Sequence, residues 1–117
     1  MAQKLTVTVN GVAFAATLED TEAAQVLATR LPMTVTMDEL NGNEKYVYLD
    51  ESLPAASARP GTIHAGDIML FGSDCLVLFY ETFSSGYRYT PIGRLDDASG
   101  LAEALGCGSA QVVWERA

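Results

Sequence analysis

The sequence predicts a mainly β domain, an antiparallel sheet closed as a barrel of about eight strands with a short helix over each open end. Three observations carry that expectation. Short period-two segments recur along the chain and are joined by Gly, Asn and Asp turns. Only two segments repeat apolar residues at helical spacing. The longest apolar run, Cys75 to Tyr80, is bounded by turn residues and reads as a strand buried on both faces. Hairpin-linked strands with so few helices close most economically as a barrel. At 117 residues the chain is long enough for one continuous core but not two, so residues 1–117 are read as a single domain.

The elements follow in order. Leu5–Val9 and Val12–Ala16 alternate around Asn10-Gly11, the pair a two-residue type I′ turn prefers because both positions need φ > 0. That turn sets Val9 opposite Val12, Val7 opposite Phe14 and Leu5 opposite Ala16 on one buried face. Asp20 is an N-cap for a helix whose stripe is Ala24, Leu27, Ala28 and Leu31, with Glu22 in the first turn, Arg30 in the last, and Pro32 as the stop. Thr34–Met37 is a short strand. Asn41-Gly42-Asn43 turns into Glu44–Leu49, which alternates as a half-buried strand. Residues 50–61, with Pro54 and Pro60, form a long loop.

Past the His64–Asp67 turn, Ile68–Phe71 is extended, and Gly72-Ser73-Asp74 turns into the apolar run. Residues 81–86 read as loop, and Tyr87-Arg88-Tyr89 as extended chain. Pro91 restricts Thr90 before Ile92–Leu95. Asp96 or Asp97 caps a second helix with stripe Ala98, Leu101, Ala102 and Leu105, and Gly106 at C′. Gln111–Glu115 closes the chain as a strand carrying the single tryptophan, Trp114.

Composition narrows the function. A formal charge of −8 and seven scattered basic residues oppose nucleic acid and anionic membrane as partners. No stretch approaches the ~20 apolar residues of a membrane span. The start, Met1 to Leu5, enters a strand pattern with no charged and apolar export signal, so a cytoplasmic location is expected. With one histidine, no metal site or other cofactor is expected. Cys75 reads as a small buried hydrophobe and Cys107, between two glycines, as a loop thiol; spacing leaves a bridge between them open.

Gly72-Ser73 with its apolar strand, Ile92-Gly93-Arg94-Leu95, and the helix end Ala102-Glu103-Ala104-Leu105 together resemble the C-terminal half of a cyclophilin. Cyclophilins carry Gly-Ser-Gln-Phe-Phe-Ile, Phe-Gly-Lys-Val and a Val-Glu-Ala-Met-like tetrad at matching spacing. The whole chain is more similar still to the small bacterial cyclophilin-like proteins, a group without established activity. Their shared phrases stand at 40–46, 60–67 and 72–75. The resemblance implies a cyclophilin-like barrel. It carries the proline pocket onto Leu76, Ser84 and Tyr89, with Phe83 as a substitute for the lost tryptophan. The catalytic arginine of the Phe-His-Arg phrase has no counterpart among arginines 30, 59, 88, 94 and 116. The groove-lining Met-Ala-Asn segment is missing too, since Phe71 runs straight into Gly72. Prolyl isomerisation faces a barrier of ~18–20 kcal/mol, and a guanidinium lowers it by bonding the twisted amide best. Arg88, between two tyrosines, is the one candidate to replace it.

Glu44, Tyr46 and Tyr48 share a strand face and form a polar-aromatic wall, against the plainer reading of cross-strand packing. His64 and Asp67 read first as turn residues, Asp74 likewise, and Asp96 and Asp97 as helix-start acids. Three functions compete. The favoured one is a binding module whose groove, built from Glu44, Tyr46, Tyr48, Leu76, Phe83 and Tyr89, takes a peptide or small molecule. The second is a divergent prolyl isomerase using Arg88. The third is an unrelated enzyme on the same barrel, with Glu44 or His64 as general base.

Overall fold

The computed structural model describes residues 3–117; Met1 and Ala2, at the start where no export signal is read, lie outside it. The Asn10-Gly11 turn behaves as its chemistry dictates. Both residues take positive φ, 47° and 89°, and β1 (Lys4–Val9) pairs with β2 (Val12–Leu18) in the expected register, Val9 opposite Val12 and Leu5 opposite Ala16. One face of this hairpin is core, but Val12 is exposed. The second helix packs mainly on β1, so Val12 stands at an uncovered rim.

Thr21, not Asp20, caps α1 (Glu22–Thr29): its Oγ1 accepts from the Ala24 N–H at 3.2 Å and donates to the Pro91 carbonyl at 2.8 Å. Asp20 instead accepts from the Gln25 amide. Ala23, Ala24, Leu27 and Ala28 bury the helix face, while Leu31 lies beyond the last turn and is half-buried. β3 (Met33–Leu40) is twice the expected length and turns through Asn41 and Gly42, both at positive φ, into β4 (Glu44–Tyr48). After the long loop come β5 (Gly61–Ile63), β6 (Asp67–Phe71), β7 (Cys75–Phe79), β8 (Phe83–Ser85) and β9 (Thr90–Leu95). β8 falls where a loop was expected. It pairs with β5 as a separate two-stranded ribbon. The second helix, α2 (Leu101–Leu105), follows Gly100 at φ 82° and is only five residues long, so neither aspartate caps it. Asp96 accepts from Thr17 and Lys4, and Asp97 from the Ser99 N–H. β10 (Ala110–Arg116) completes the chain.

Eight strands close in the order β1-β10-β3-β4-β7-β6-β9-β2, every pairing antiparallel. The helices sit at opposite ends. α1 follows the end of β2, and Arg116 at the end of β10 donates to its Ala28 carbonyl; at the other end the Asn10 amide of the β1–β2 turn donates to the α2 carbonyl of Ala104. The barrel interior holds Leu5, Val7, Leu70, Leu76, Leu78, Ile92, Val112 and Trp114. A second apolar cluster, Ile63, Met69, Cys75, Val77, Phe79 and Tyr89, lies on the other face of β6 and β7. This explains why β7 is buried along its whole length. Its even-numbered side chains fill the barrel, and its odd-numbered ones lie under the β5–β8 ribbon and the chain leading into β9. Among the described residues, no helix is long and apolar enough to cross a membrane.

Candidate functional site

The outer face of β4, β7 and β6 sets side chains in rows. Pairing of Tyr48 with Cys75 and of Phe71 with Cys75 puts Tyr48, Cys75 and Phe71 in one row; Tyr46 and Val77 follow in the next, and Glu44 pairs with Phe79 in the third. The ribbon covers only part of this face. What stays open is a cleft of about 360 Å³. Glu44, Tyr46 and Tyr48 form one wall with Leu40 and Asn41; Phe71, Tyr87 and Tyr89 form the other; Cys75 and Val77 are the floor.

The rings meet at steep angles. Tyr46 and Tyr48 pack edge to face with centroids 5.9 Å apart, as do Phe71 and Tyr87 at 6.1 Å. Tyr89 is wedged against Phe71 and Phe79, at 5.7 and 5.5 Å. An Ala58–Tyr89 bridge, with two backbone hydrogen bonds, ties its backbone to the long loop. Burial raises its phenol pKa above the ordinary value, against the Ser85 hydroxyl, which lowers it.

Glu44 is the unusual group. It is 8% exposed, and among the described residues its carboxyl has no hydrogen-bond or salt-bridge partner. Burial, with a smaller push from Glu39, raises its pKa to about 7. Its neighbour Lys45 cannot neutralise it, because strand alternation sends that side chain through the opposite face. There the fully buried Lys45 ammonium donates to Glu39 at 2.8 Å and to the Gly106 and Gly108 carbonyls. Glu39 also accepts from the Tyr80 hydroxyl and the Gly42 N–H. Burial pushes the Glu39 carboxyl up, but these bonds outweigh it and hold the group below the usual range.

Glu44, Tyr46 and Tyr48 share one wall of the cleft, and Tyr89 stands on the other. Leu76 does not join them: it is fully buried inside the barrel, and Cys75 and Val77 take the floor positions. Alternation leaves no choice, since Cys75 faces Tyr48 and its successor must point inward. Phe83 lies behind the cleft, tilted against Phe79 with centroids 5.6 Å apart, where it supports Tyr89 indirectly. Arg88 is exposed, donates to the Ser57 carbonyl at 3.1 Å and is not among the lining residues. His64 is exposed in its turn, where the Asp67 carboxylate accepts from the His64 N–H; it shares no cavity with Glu44.

Leu40, Asn41, Phe71, Cys75, Val77 and Tyr87 were not picked out from the sequence. The signal for three of them was present. A three-residue turn at 72–74 pairs Phe71 with Cys75, and a doubly apolar strand needs an outer cover that its odd-numbered residues must meet. The two thiols are both free, Cys75 buried and Cys107 exposed. Burial first, then Glu44 and Asp74, pushes the Cys75 thiol up to about 11, so it holds its proton at neutral pH. Among the described residues, no three His, Cys, Asp or Glu side chains are grouped to hold a metal ion. A wider depression near Thr17, Glu19, Asp20, Gln25 and Arg94 has only exposed charges on its walls.

No curated protein matches the chain. Among solved structures, it is similar to the solution structure of a hypothetical protein from Archaeoglobus fulgidus, with a TM-score of 0.61, 17% identity, and coverage of 99% of this chain and 95% of that one. At that identity the likeness is one of fold. Residues 7–115 match the sequence profile of the cyclophilin-like family. With the closed barrel in view and nearly the full length matched, the chain belongs to the cyclophilin-like family, whose activity is not established.

Proposed function

We propose that this domain is a binding module whose ligand, a small molecule or a single peptide side chain, enters the aromatic cleft on the outer face of β4, β7 and β6. One observation carries the reading. Five large apolar or aromatic side chains are well exposed among the described residues, and four of them, Leu40, Tyr48, Phe71 and Tyr87, rim this cleft. Scattered exposed apolar residues are ordinary; a cluster around a concavity with a buried polar group is the pattern of a ligand site. Chemistry at the cleft has little to work with. No guanidinium lines it, the Cys75 thiol stays protonated, and His64 is elsewhere. A second reading rests on Glu44, since a carboxyl titrating near 7 suits a general base; no activated nucleophile stands beside it.

Fragment binding followed by backbone amide chemical shifts tests the module. Shifts confined to residues 40–48, 71–77 and 85–89, lost together in Tyr48→Ala and Tyr87→Ala, are the expected result. Fragments that perturb only other surfaces, or shifts indifferent to both substitutions, would refute it.

A further inference from the structure

We propose that the group this cleft takes is a small organic cation, an ammonium from primary to quaternary, seated between the Glu44 carboxylate and the rings of Tyr46, Tyr48, Phe71 and Tyr87. The inference rests on the binding-module reading and names its ligand class. Its first support is Glu44 itself. The residue is more than nine-tenths buried and its carboxyl, among the described residues, has no partner, so the fold disfavours its charged form without offsetting it. Such a group aimed into an open cleft is completed by what enters the cleft.

The surroundings select the sign of that ligand. On its own strand Glu44 faces Tyr46 and Tyr48; from the end of β3 and its turn come Leu40, Asn41 and, behind them, Glu39; from β7 and its turn come Cys75 and Asp74; from the chain leading into β9 come Tyr87 and Tyr89. None of these is basic. The nearest ammonium in sequence, Lys45, is consumed by Glu39 and two carbonyls on the other face. A carboxylate-lined pocket on a chain of net charge −8 presents a negative potential, which concentrates cations and repels anions.

The rings add the second element of recognition. Their π-faces are electron-rich and attract a cation lying over them, most strongly where water is excluded. Each wall holds two rings set nearly perpendicular to one another, Tyr46 and Tyr48 at 79° and Phe71 and Tyr87 at 89°, so aromatic surface borders the cleft from both sides. A volume of about 360 Å³ accommodates a trimethylammonium head with a short tail. The proton equilibrium of Glu44 agrees. A carboxyl titrating near 7 is only partly ionised in the empty cleft, and a bound cation draws it to the ionised form.

The test compares choline, whose charge is permanent, with its neutral isostere 3,3-dimethylbutan-1-ol and with benzoate, by calorimetry and amide shifts. Choline is expected to bind at least tenfold more tightly than the isostere and to shift the amides of Glu44, Tyr46 and Tyr48. Its affinity should rise about tenfold from pH 6 to pH 8 as Glu44 ionises. Glu44→Gln, checked by its melting temperature to be folded, should lose both the affinity advantage and the pH dependence. Equal binding of choline and the isostere, an affinity for choline that Glu44→Gln leaves unchanged, or tighter binding of the isostere or benzoate at the cleft would overturn the cation while leaving the binding module standing. Silence of the cleft amides toward all three probes would overturn both.

Discussion

Glu44→Gln also makes a prediction that needs no ligand. In the unfolded chain the carboxyl titrates near 4.5, and in the fold near 7, because burial and then Glu39 disfavour its charge. Between those pH values the native state keeps a proton that the unfolded chain releases. The contribution of Glu44 to stability is therefore undiminished below about pH 4.5, falls as pH rises, and levels off above about 7. The full loss is at most about 3 kcal/mol at pH 8, and water entering the cleft screens part of it, leaving about 1–3 kcal/mol. Glutamine keeps the shape and removes the charge. The variant should melt with the wild type at pH 4 and about 4–12 °C above it at pH 8. Glu39, Asp96 and Asp97 have lowered pKa values, so their contributions are lost as the pH falls through the acid range. Asp96 and Asp97 are common to both proteins and cancel in the difference. The assay is thermal unfolding followed by circular dichroism from pH 4 to pH 8. An offset between the two proteins that is the same at both ends, or a variant less stable at pH 8, would refute the claim that a partnerless carboxyl is held in the cleft.

Three further outcomes follow from other parts of the structure. Lys45→Met strands the Glu39 carboxylate and the Gly106 and Gly108 carbonyls; urea unfolding should record a loss of about 3 kcal/mol, part of which the double variant with Glu39→Gln recovers. Iodoacetamide at pH 8 should add one equivalent, at Cys107, with Cys75 labelled only in denaturant, as read by mass spectrometry of the digested protein. A protease-coupled assay on a proline tetrapeptide should show no rate above the uncatalysed one, and Arg88→Ala should change nothing; a clear rate abolished by that substitution would restore the divergent isomerase.

The parts of this structure legible in sequence are those where local chemistry has one solution. Asn10-Gly11 admits only a turn with both φ positive, and the hairpin register follows residue by residue. Helix starts are less determined, because Asp20 and Thr21 are both good caps; the Pro91 carbonyl, a tertiary partner, decides for Thr21. β8 has no alternation of its own. Its Phe83-Ser84-Ser85 is extended because β5 offers a partner across the outer face. The short α2 shows the same dependence: Ala98 has the right spacing, but Gly100 at positive φ separates it from the helix.

The site was half legible for a related reason. Glu44, Tyr46 and Tyr48 share a face whatever the fold, so period two was enough to group them. Leu76 was placed by resemblance to the cyclophilin proline pocket, and there alternation wins. Once Tyr48 pairs with Cys75 on the outer face, Leu76 belongs to the barrel interior. That one-residue difference in facing changes what the cleft is. A floor of Cys75 and Val77 is built of small side chains, and it leaves the aromatic rings on the walls. A rounded charged head needs faces around it and a counter-charge within reach. The barrel is therefore compatible with a cleft that no arginine lines. Glu44 is then the unmatched charge at its edge, and the cation proposed above is the group that matches it.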